Sequence, residues 1–144
     1  MADAIEFKGD LARTARLWDI PFAMPRRFPV VTLATARAFY WLEEINSAQA
    51  VRFADAAFTG LFAEGRDIAD RAVVAALLEA VGAEPEAGLA ATGDPQIKER
   101  LKAATDEAVG RGVFGSPFIF VDGEPFWGAD RLDQVDRWLE RGGW

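Results

Sequence analysis

The 144 residues predict a mostly helical α/β fold, in which a series of helices ends in a β-hairpin and one last helix. Three observations predict it. From about residue 33 to residue 109, apolar side chains recur at three- and four-residue spacing, with Gly and Pro as punctuation. Asp122-Gly123 stands between two apolar runs, Phe118–Val121 and Glu124–Trp127. That dipeptide favours a two-residue type I′ turn, because both central residues need positive φ. Finally, Asp130 opens the pattern Leu132, Val135, Trp138, Leu139, the spacing of one helix face.

Taken in order, residues 1–9 read as an N-terminal extension or a short strand at Ala4–Phe7. Leu11, Ala12, Ala15, Leu17 and Trp18 suggest a short helix after Gly9-Asp10. Pro21, Pro25 and Pro29 then impose an extended segment, since each disfavours helix for itself and for its predecessor. Thr32 suits the cap of a second helix, with Leu33, Ala36, Phe39, Tyr40 and Leu42 on its apolar face. After Asn46-Ser47, a third helix carries Val51, Phe53, Ala57, Phe58, Leu61 and Phe62 and is stopped by Gly65. Asp67 and Asp70 introduce a fourth, ended by Gly82, and Pro85 opens a small turn or helix. Asp94-Pro95 supplies a cap and a proline at the first helical position for a helix to about Val109. Ala91-Thr92-Gly93 is the softest connection, a loop rather than a domain boundary.

The hairpin strand adds an independent argument. Phe118–Val121 is apolar on both faces, which marks a strand covered on both sides. Glu124-Pro125 suits an edge strand, because Pro cannot donate to a ladder. The far side of Phe118–Val121 therefore wants another strand, from Ala4–Phe7 or, failing that, from a segment outside this chain or a second copy of it. The chain is expected to be one domain: residues 1–9, a helical part over 10–111, and the hairpin and helix over 112–144.

Composition narrows the function. Hydrophobic residues make up 51% and charged residues 27%, a globular balance that can bury a core. A net charge of −7 argues against nucleic acid, whose phosphates need many basic partners. No apolar run reaches the ~20 residues of a membrane span, and Met1-Ala2-Asp3 does not read as a signal peptide, so a cytoplasmic protein is expected. There is no Cys and no His. Disulfides, dithiol redox chemistry, Cys- or His-built zinc sites and Ser-His-Asp triads are thereby excluded from this chain. Acid–base work falls to Asp, Glu, Lys or the single Tyr40. Gly110-Arg111-Gly112-Val113-Phe114-Gly115 matches G-x-G-x-x-G formally, but it follows a helix and opens a strand, the reverse of a dinucleotide site. Glu43-Glu44 reads as a solvated helix face.

The run from Gly112 to Leu132, GVFGSPFIFVDGEPFWGADRL, closely resembles the C-terminal signature of the 2-hydroxychromene-2-carboxylate isomerases. These are relatives of kappa-class glutathione transferases and of DsbA-type oxidoreductases, with a thioredoxin-like fold and a large helical insertion. A second block, Asp10-Leu11-Ala12-Arg13 through Ile20-Pro21-Phe22, Phe28-Pro29 and Thr32-Leu33, resembles that family's entry into the insertion; Gly65–Asp70 is a weaker third. The family begins with a strand–helix–strand unit that carries a nucleophilic serine, or cysteine in the oxidoreductases. Here the second block starts almost at once, and neither Ser47 nor Ser116 falls at that place. The chain is therefore expected to lack the family's catalytic N-terminal strand–helix–strand, and no catalytic residue is assigned.

The resemblance implies a glutathione-dependent isomerase acting on a small aromatic carboxylate. It implies a cis Pro117, with the Ser116 main chain pairing with the cysteinyl backbone of glutathione. Ala129, Asp130 and Arg131 would hold the γ-glutamyl end. Physical chemistry also allows plainer roles: Asp130 as a helix cap and Arg131 as a solvated first-turn residue. Ala129 offers only its backbone where relatives often have Ser or Asn, and Val31 stands where relatives carry Asn. Trp127, Trp138, Trp144, Phe114, Phe118, Phe120 and Phe126 line either an aromatic substrate pocket or, more in keeping with their number, a core. A kappa-class-like transferase and a non-catalytic, oligomerising helical module are the alternatives, and a homodimer or a partner over the open strand edge is expected.

Overall fold

A computed structural model describes residues 2–144, with side chains from residue 9 onward. Seven α-helices and a hairpin follow one another: α1 Ala2–Leu17, α2 Leu33–Ile45, α3 Ser47–Phe62, α4 Arg71–Ala80, α5 Pro85–Ala91, α6 Pro95–Gly110, β1 Phe118–Val121, β2 Glu124–Trp127, a 3₁₀ turn Ala129–Arg131 and α7 Leu132–Arg141. The chain forms two compact units, Met1–Lys102 and Ala103–Trp144, which divide inside α6.

The sequence signals act where expected at most helix ends. Asn46 caps α3 by accepting the Gln49 N–H at 3.1 Å. Asp70 caps α4 through the Ala72 N–H at 2.8 Å, and Asp94 accepts from Gln96 N–H at 2.7 Å at the start of α6. Helix α4 stops at Gly82, φ 77°, where Ala83 N–H reaches the Leu78 carbonyl and Gly82 N–H the Glu79 carbonyl. Only a residue tolerant of left-handed backbone closes a helix this way. Helix α6 ends identically at Gly112, φ 77°, with Val113 bonded to Ala108 and Gly112 to Val109. The G-x-G-x-x-G string is therefore a helix terminator followed by a loop.

Three expectations change. Residues 4–7 are helical, so α1 takes the place of the short strand and of a helix starting at Gly9-Asp10; Ala, Glu, Lys, Leu and Arg dominate the stretch, and all are good helix formers. Thr32 does not cap α2 with its side chain, since its φ of −101° and ψ of 10° lie outside the extended region an N-cap occupies. Thr92 is buried rather than part of a soft loop: its hydroxyl donates to the Leu89 carbonyl at 2.7 Å, and Arg37 and Arg71 reach its carbonyl and hydroxyl at 3.4 Å.

The core of the first unit packs Ala38 and Leu42 of α2 against Ala50, Phe53, Ala57 and Leu61 of α3 and Val74, Leu77 and Leu78 of α4. Small residues let the helix axes approach while Phe53 and the leucines fill the space between them. Ile68 joins that core, and the Thr35 hydroxyl donates to its carbonyl at 2.6 Å, which satisfies a buried polar pair. The carboxylates of Glu43 and Glu44 are not simply solvated. Arg100 of α6 reaches Glu43 at 2.6 Å and Glu44 at 2.7 Å with separate nitrogens, and its guanidinium lies 5.5 Å from the Tyr40 ring centre. The Glu44 hydrogen bond, with help from Glu43, holds the guanidinium pKa above its usual value. In the second unit, Phe126 and Val135 are the buried side chains, and Phe126 meets the Trp138 ring at 5.7 Å.

Candidate functional site

The site is built in the second unit from the hairpin, the loop before it and the turn after it. Asp122 and Gly123 form the hairpin turn with φ of 52° and 85°, which pairs Phe118 with Trp127, Ile119 with Phe126, Phe120 with Pro125 and Val121 with Glu124. Beyond the strands, the Gly128 N–H donates to the Pro117 carbonyl at 3.0 Å. Hydrogen-bonded and non-bonded pairs alternate in an antiparallel ladder. Counting from Pro117–Gly128, Ile119–Phe126 and Val121–Glu124 are the bonded pairs, and Pro125 falls at a position that needs no N–H. That phase turns the main-chain groups of Ser116, Phe118 and Phe120 to the opposite edge. None of the three has a hydrogen-bond partner there among the described residues, and β1–β2 is the sheet that they form.

The Ser116–Pro117 peptide is cis, as is Phe28–Pro29 in the first unit. Ser116 and Pro117 are exposed. Gly128 fixes what lies beside them. Its φ of 105° is open to glycine, and a Cβ there would run into the Asp130 carboxylate. Asp130 is thus folded back over Gly128, one hydrogen bond from Pro117. Gly115 is similar, because a Cβ would meet the Trp127 indole nitrogen. Asp130 does not cap a helix: no side-chain cap bond forms at the 3₁₀ turn or at α7. Its carboxylate has Arg131 at 3.6 Å, with both side chains well exposed. The N–H groups of Ala129 and Asp130 carry no protein acceptor among the described residues, whereas Arg131 N–H bonds the Gly128 carbonyl and Leu132 N–H the Ala129 carbonyl.

The aromatic residues divide into two groups. Phe126, Trp138 and Trp144 meet edge to face in succession at 5.7 and 5.1 Å, and Phe126 is buried among them. Phe114 and Trp127 face each other at 4.8 Å yet remain 71% and 54% exposed. Phe118 lies 5.4 Å from Phe114, and Arg111 sits 3.8 Å from the Phe120 ring centre. An apolar surface therefore adjoins Ser116. Sequence reading singled out Ser116, Pro117, Ala129–Arg131 and the glycines up to Gly115 that let the backbone approach the site, but missed Gly128 as a residue that shapes the surface. A glycine directly after Trp127 and two residues before Asp130 was the available signal. In the first unit a separate apolar cleft of about 370 Å³ is lined by Thr32, Thr35, Phe39, Tyr40, Phe53 and Phe58, among others.

Hairpin, loop and helical array together define a thioredoxin-like protein of the DsbA type. The sequence profile of the DSBA-like thioredoxin domain matches residues 3–140, and the chain belongs to that family. Within it, the chain is 31% identical over 130 residues to a 2-hydroxychromene-2-carboxylate isomerase of Sphingobium xenophagum, covering 90% of this chain and 65% of that protein. It is 29% identical to glutathione S-transferase kappa 2 of Caenorhabditis elegans, covering 90% and 63%. A solved 2-hydroxychromene-2-carboxylate isomerase superposes with a TM-score of 0.87 at 27% identity, over 97% of this chain and 67% of the other. A putative protein disulfide isomerase of Nitrosomonas europaea, at 16% identity and a TM-score of 0.75, shares the fold. The chain spans somewhat under two thirds of the length of the curated relatives it matches. Among the described residues, no helix is long and apolar enough to cross a membrane.

Proposed function

We propose that the surface formed by Ser116, Pro117, Ala129, Asp130 and Arg131 binds glutathione and serves an isomerisation of a small aromatic carboxylate, of the 2-hydroxychromene-2-carboxylate type. One observation carries the reading: the unpaired main chain of Ser116 and the free N–H groups and carboxylate around Asp130 are held side by side through Gly128. Each part fits a segment of the tripeptide. An extended peptide pairs with the N–H and C=O of Ser116. A terminal carboxylate accepts from the Ala129 and Asp130 N–H groups. An ammonium is complementary to the Asp130 carboxylate, and Arg131 offsets that carboxylate's charge from the other side. The chemistry glutathione would supply is that of a thiolate nucleophile and leaving group. The residues of this chain bind and orient, and the exposed rings of Phe114 and Trp127 offer an apolar neighbour for an aromatic substrate.

Titration calorimetry of the purified chain with glutathione tests the binding. Saturable binding is expected, weakened about tenfold by Asp130→Ala, the equivalent of one charge-assisted hydrogen bond. Binding indifferent to Asp130→Ala, or no binding, would remove the reading. A kappa-class-like transferase would use the same surface, and product analysis separates the two: an isomerase returns free glutathione and a rearranged acid, a transferase a thioether conjugate.

The open edge of β1 favours a second reading, a non-catalytic module that completes its sheet with another strand. A two-stranded sheet alone is marginal, and Ser116, Phe118 and Phe120 present an unprotected row of donors and acceptors. On that reading a homodimer or a partner chain covers the edge, and light scattering with glutathione binding absent would favour it.

A further inference from the structure

We propose that Arg26, Arg27 and Arg66 form a site for a small phosphate-bearing anion on the first unit. The three arginines share a cleft of about 200 Å³ with Pro25, Val30, Leu61, Gly65 and Asp67. The chain as a whole carries a net charge of −7, so clustered cations run against its electrostatic trend. Surface arginines in an acidic protein ordinarily find carboxylates, as Arg100 does with Glu43 and Glu44. Arg26 and Arg27 have no hydrogen bond or ion pair among the described residues. Arg66 uses only its Nε, 3.5 Å from Glu64, so the terminal nitrogens of its guanidinium stay available.

The arrangement is held from below. The Arg66 N–H donates to the Gly60 carbonyl at 2.7 Å, and the Arg66 Cδ lies 3.3 Å from the point a Cβ on Gly60 would occupy. Its stem is thus laid on α3, which limits the entropy the head would lose on binding. On the other side, proline brackets the arginine pair at Pro25 and Pro29, which removes much of the freedom of the intervening backbone. Pro25 and Leu61 are buried and make an apolar floor. The one acid in the lining, Asp67, already accepts the Ala69 N–H at 3.0 Å. Three guanidiniums against Asp67 and the Glu64 partner of Arg66 leave one net positive charge, which suits a phosphate group. The volume admits a phosphate with a small organic body rather than a nucleotide. No covalent step is involved.

The test is ¹H–¹⁵N NMR of the arginine Nε–H signals during titration with inorganic phosphate and with phenyl phosphate, at ionic strength held constant with sodium chloride. Expected are saturable shifts of Arg26, Arg27 and Arg66 with millimolar or tighter affinity, and about tenfold weaker binding in the Arg27→Gln/Arg66→Gln variant. Arg52→Gln, an exposed change on α3, is expected to leave the affinity unaltered. Far-ultraviolet circular dichroism of the double variant separates lost binding from lost fold, and Arg26→Gln alone serves as the second probe if it unfolds. Shifts that do not saturate by about 20 mM, or an Arg26 response of unchanged affinity in the Arg27→Gln/Arg66→Gln variant, would overturn the proposal. Cosedimentation with phosphatidic acid vesicles without any response to the free phosphates would overturn it as well, in favour of a lipid surface.

Discussion

The indole N–H of Trp138 donates to the Asp122 carboxylate at 3.0 Å, so the last helix is pinned to the turn of the hairpin. Asp122 also sits at φ 52°, left-handed backbone that Asp and Asn tolerate and Ala does not. One residue therefore meets two demands, and substitutions divide them. Asp122→Asn is expected to keep the backbone and a weaker bond, and to lose under about 1 kcal/mol. Asp122→Ala loses both and should cost about 2 kcal/mol. Urea unfolding followed by Trp fluorescence measures the pair, and equal losses would mean that the turn conformation does not matter.

Arg100 bridges Glu43 and Glu44 with two different nitrogens, a geometry that a lysine ammonium cannot reproduce. The side chain is 37% exposed, so solvent screens the gain and about 1 kcal/mol is the expected loss for Arg100→Met. Arg100→Lys should recover less than half of it. The guanidinium pKa is raised, so its contribution is complete below the unfolded value and is lost only as pH rises through the folded one. Both lie above the range of ordinary unfolding experiments, and no pH dependence from Arg100 is expected near neutrality. Salt is the informative variable: the difference between wild type and Arg100→Met should shrink between low and molar salt.

Helix ends and the hairpin were legible because single residues decide them. Asn46, Asp70, Asp94, Gly82, Gly112 and Asp122-Gly123 act within three or four residues of their own position, and side-chain type is enough to place them. What depends on residues distant in the chain was not legible. Glu43-Glu44 reads as a solvated face until Arg100, more than fifty positions later, is brought to it. Thr92 reads as a loop residue until Arg37 and Arg71 arrive. Residues 4–7 were ambiguous for another reason: a four-residue stretch suits a strand as well as a helix, and neighbouring helix formers settled it. At the candidate site, the chemical groups were readable from the motif, whereas the folding of Asp130 back over Gly128 was not.

Two glycines in helices are expected to respond to alanine in opposite directions. Gly110 closes α6 with nothing within 4 Å of the place an added methyl would take, so Gly110→Ala should stabilise by about 0.5–1 kcal/mol through reduced backbone entropy in the unfolded chain. Gly88 lies in α5 against Leu78 and Trp41, where an added Cβ falls within 3.0 Å of the Trp41 ring. Overpacking of about 1–3 kcal/mol outweighs a helix-propensity gain of about 1 kcal/mol, so Gly88→Ala should be net destabilising. Thermal melts of the two variants decide it, and a stabilised Gly88→Ala would mean that α5 shifts away without cost.

The ladder phase leads to the last prediction, at single-residue resolution. If Pro117–Gly128, Ile119–Phe126 and Val121–Glu124 are the bonded pairs, the amides of Ile119 and Val121 are locked between the strands. Those of Phe118 and Phe120 point to the free edge. Amide exchange of the isolated chain should therefore alternate along four consecutive residues, slow at 119 and 121 and fast at 118 and 120, even though all four side chains are similarly half-buried. Burial alone predicts one rate for all four, so the alternation isolates hydrogen bonding from side-chain cover. A strand docked on the edge would protect 118 and 120 while leaving 119 and 121 as they were. Ligand confined to Ser116 and the Asp130 turn would leave the alternation in place. Uniform exchange in the isolated monomeric chain would show that the register, and with it the outward-facing Ser116 main chain, is wrong.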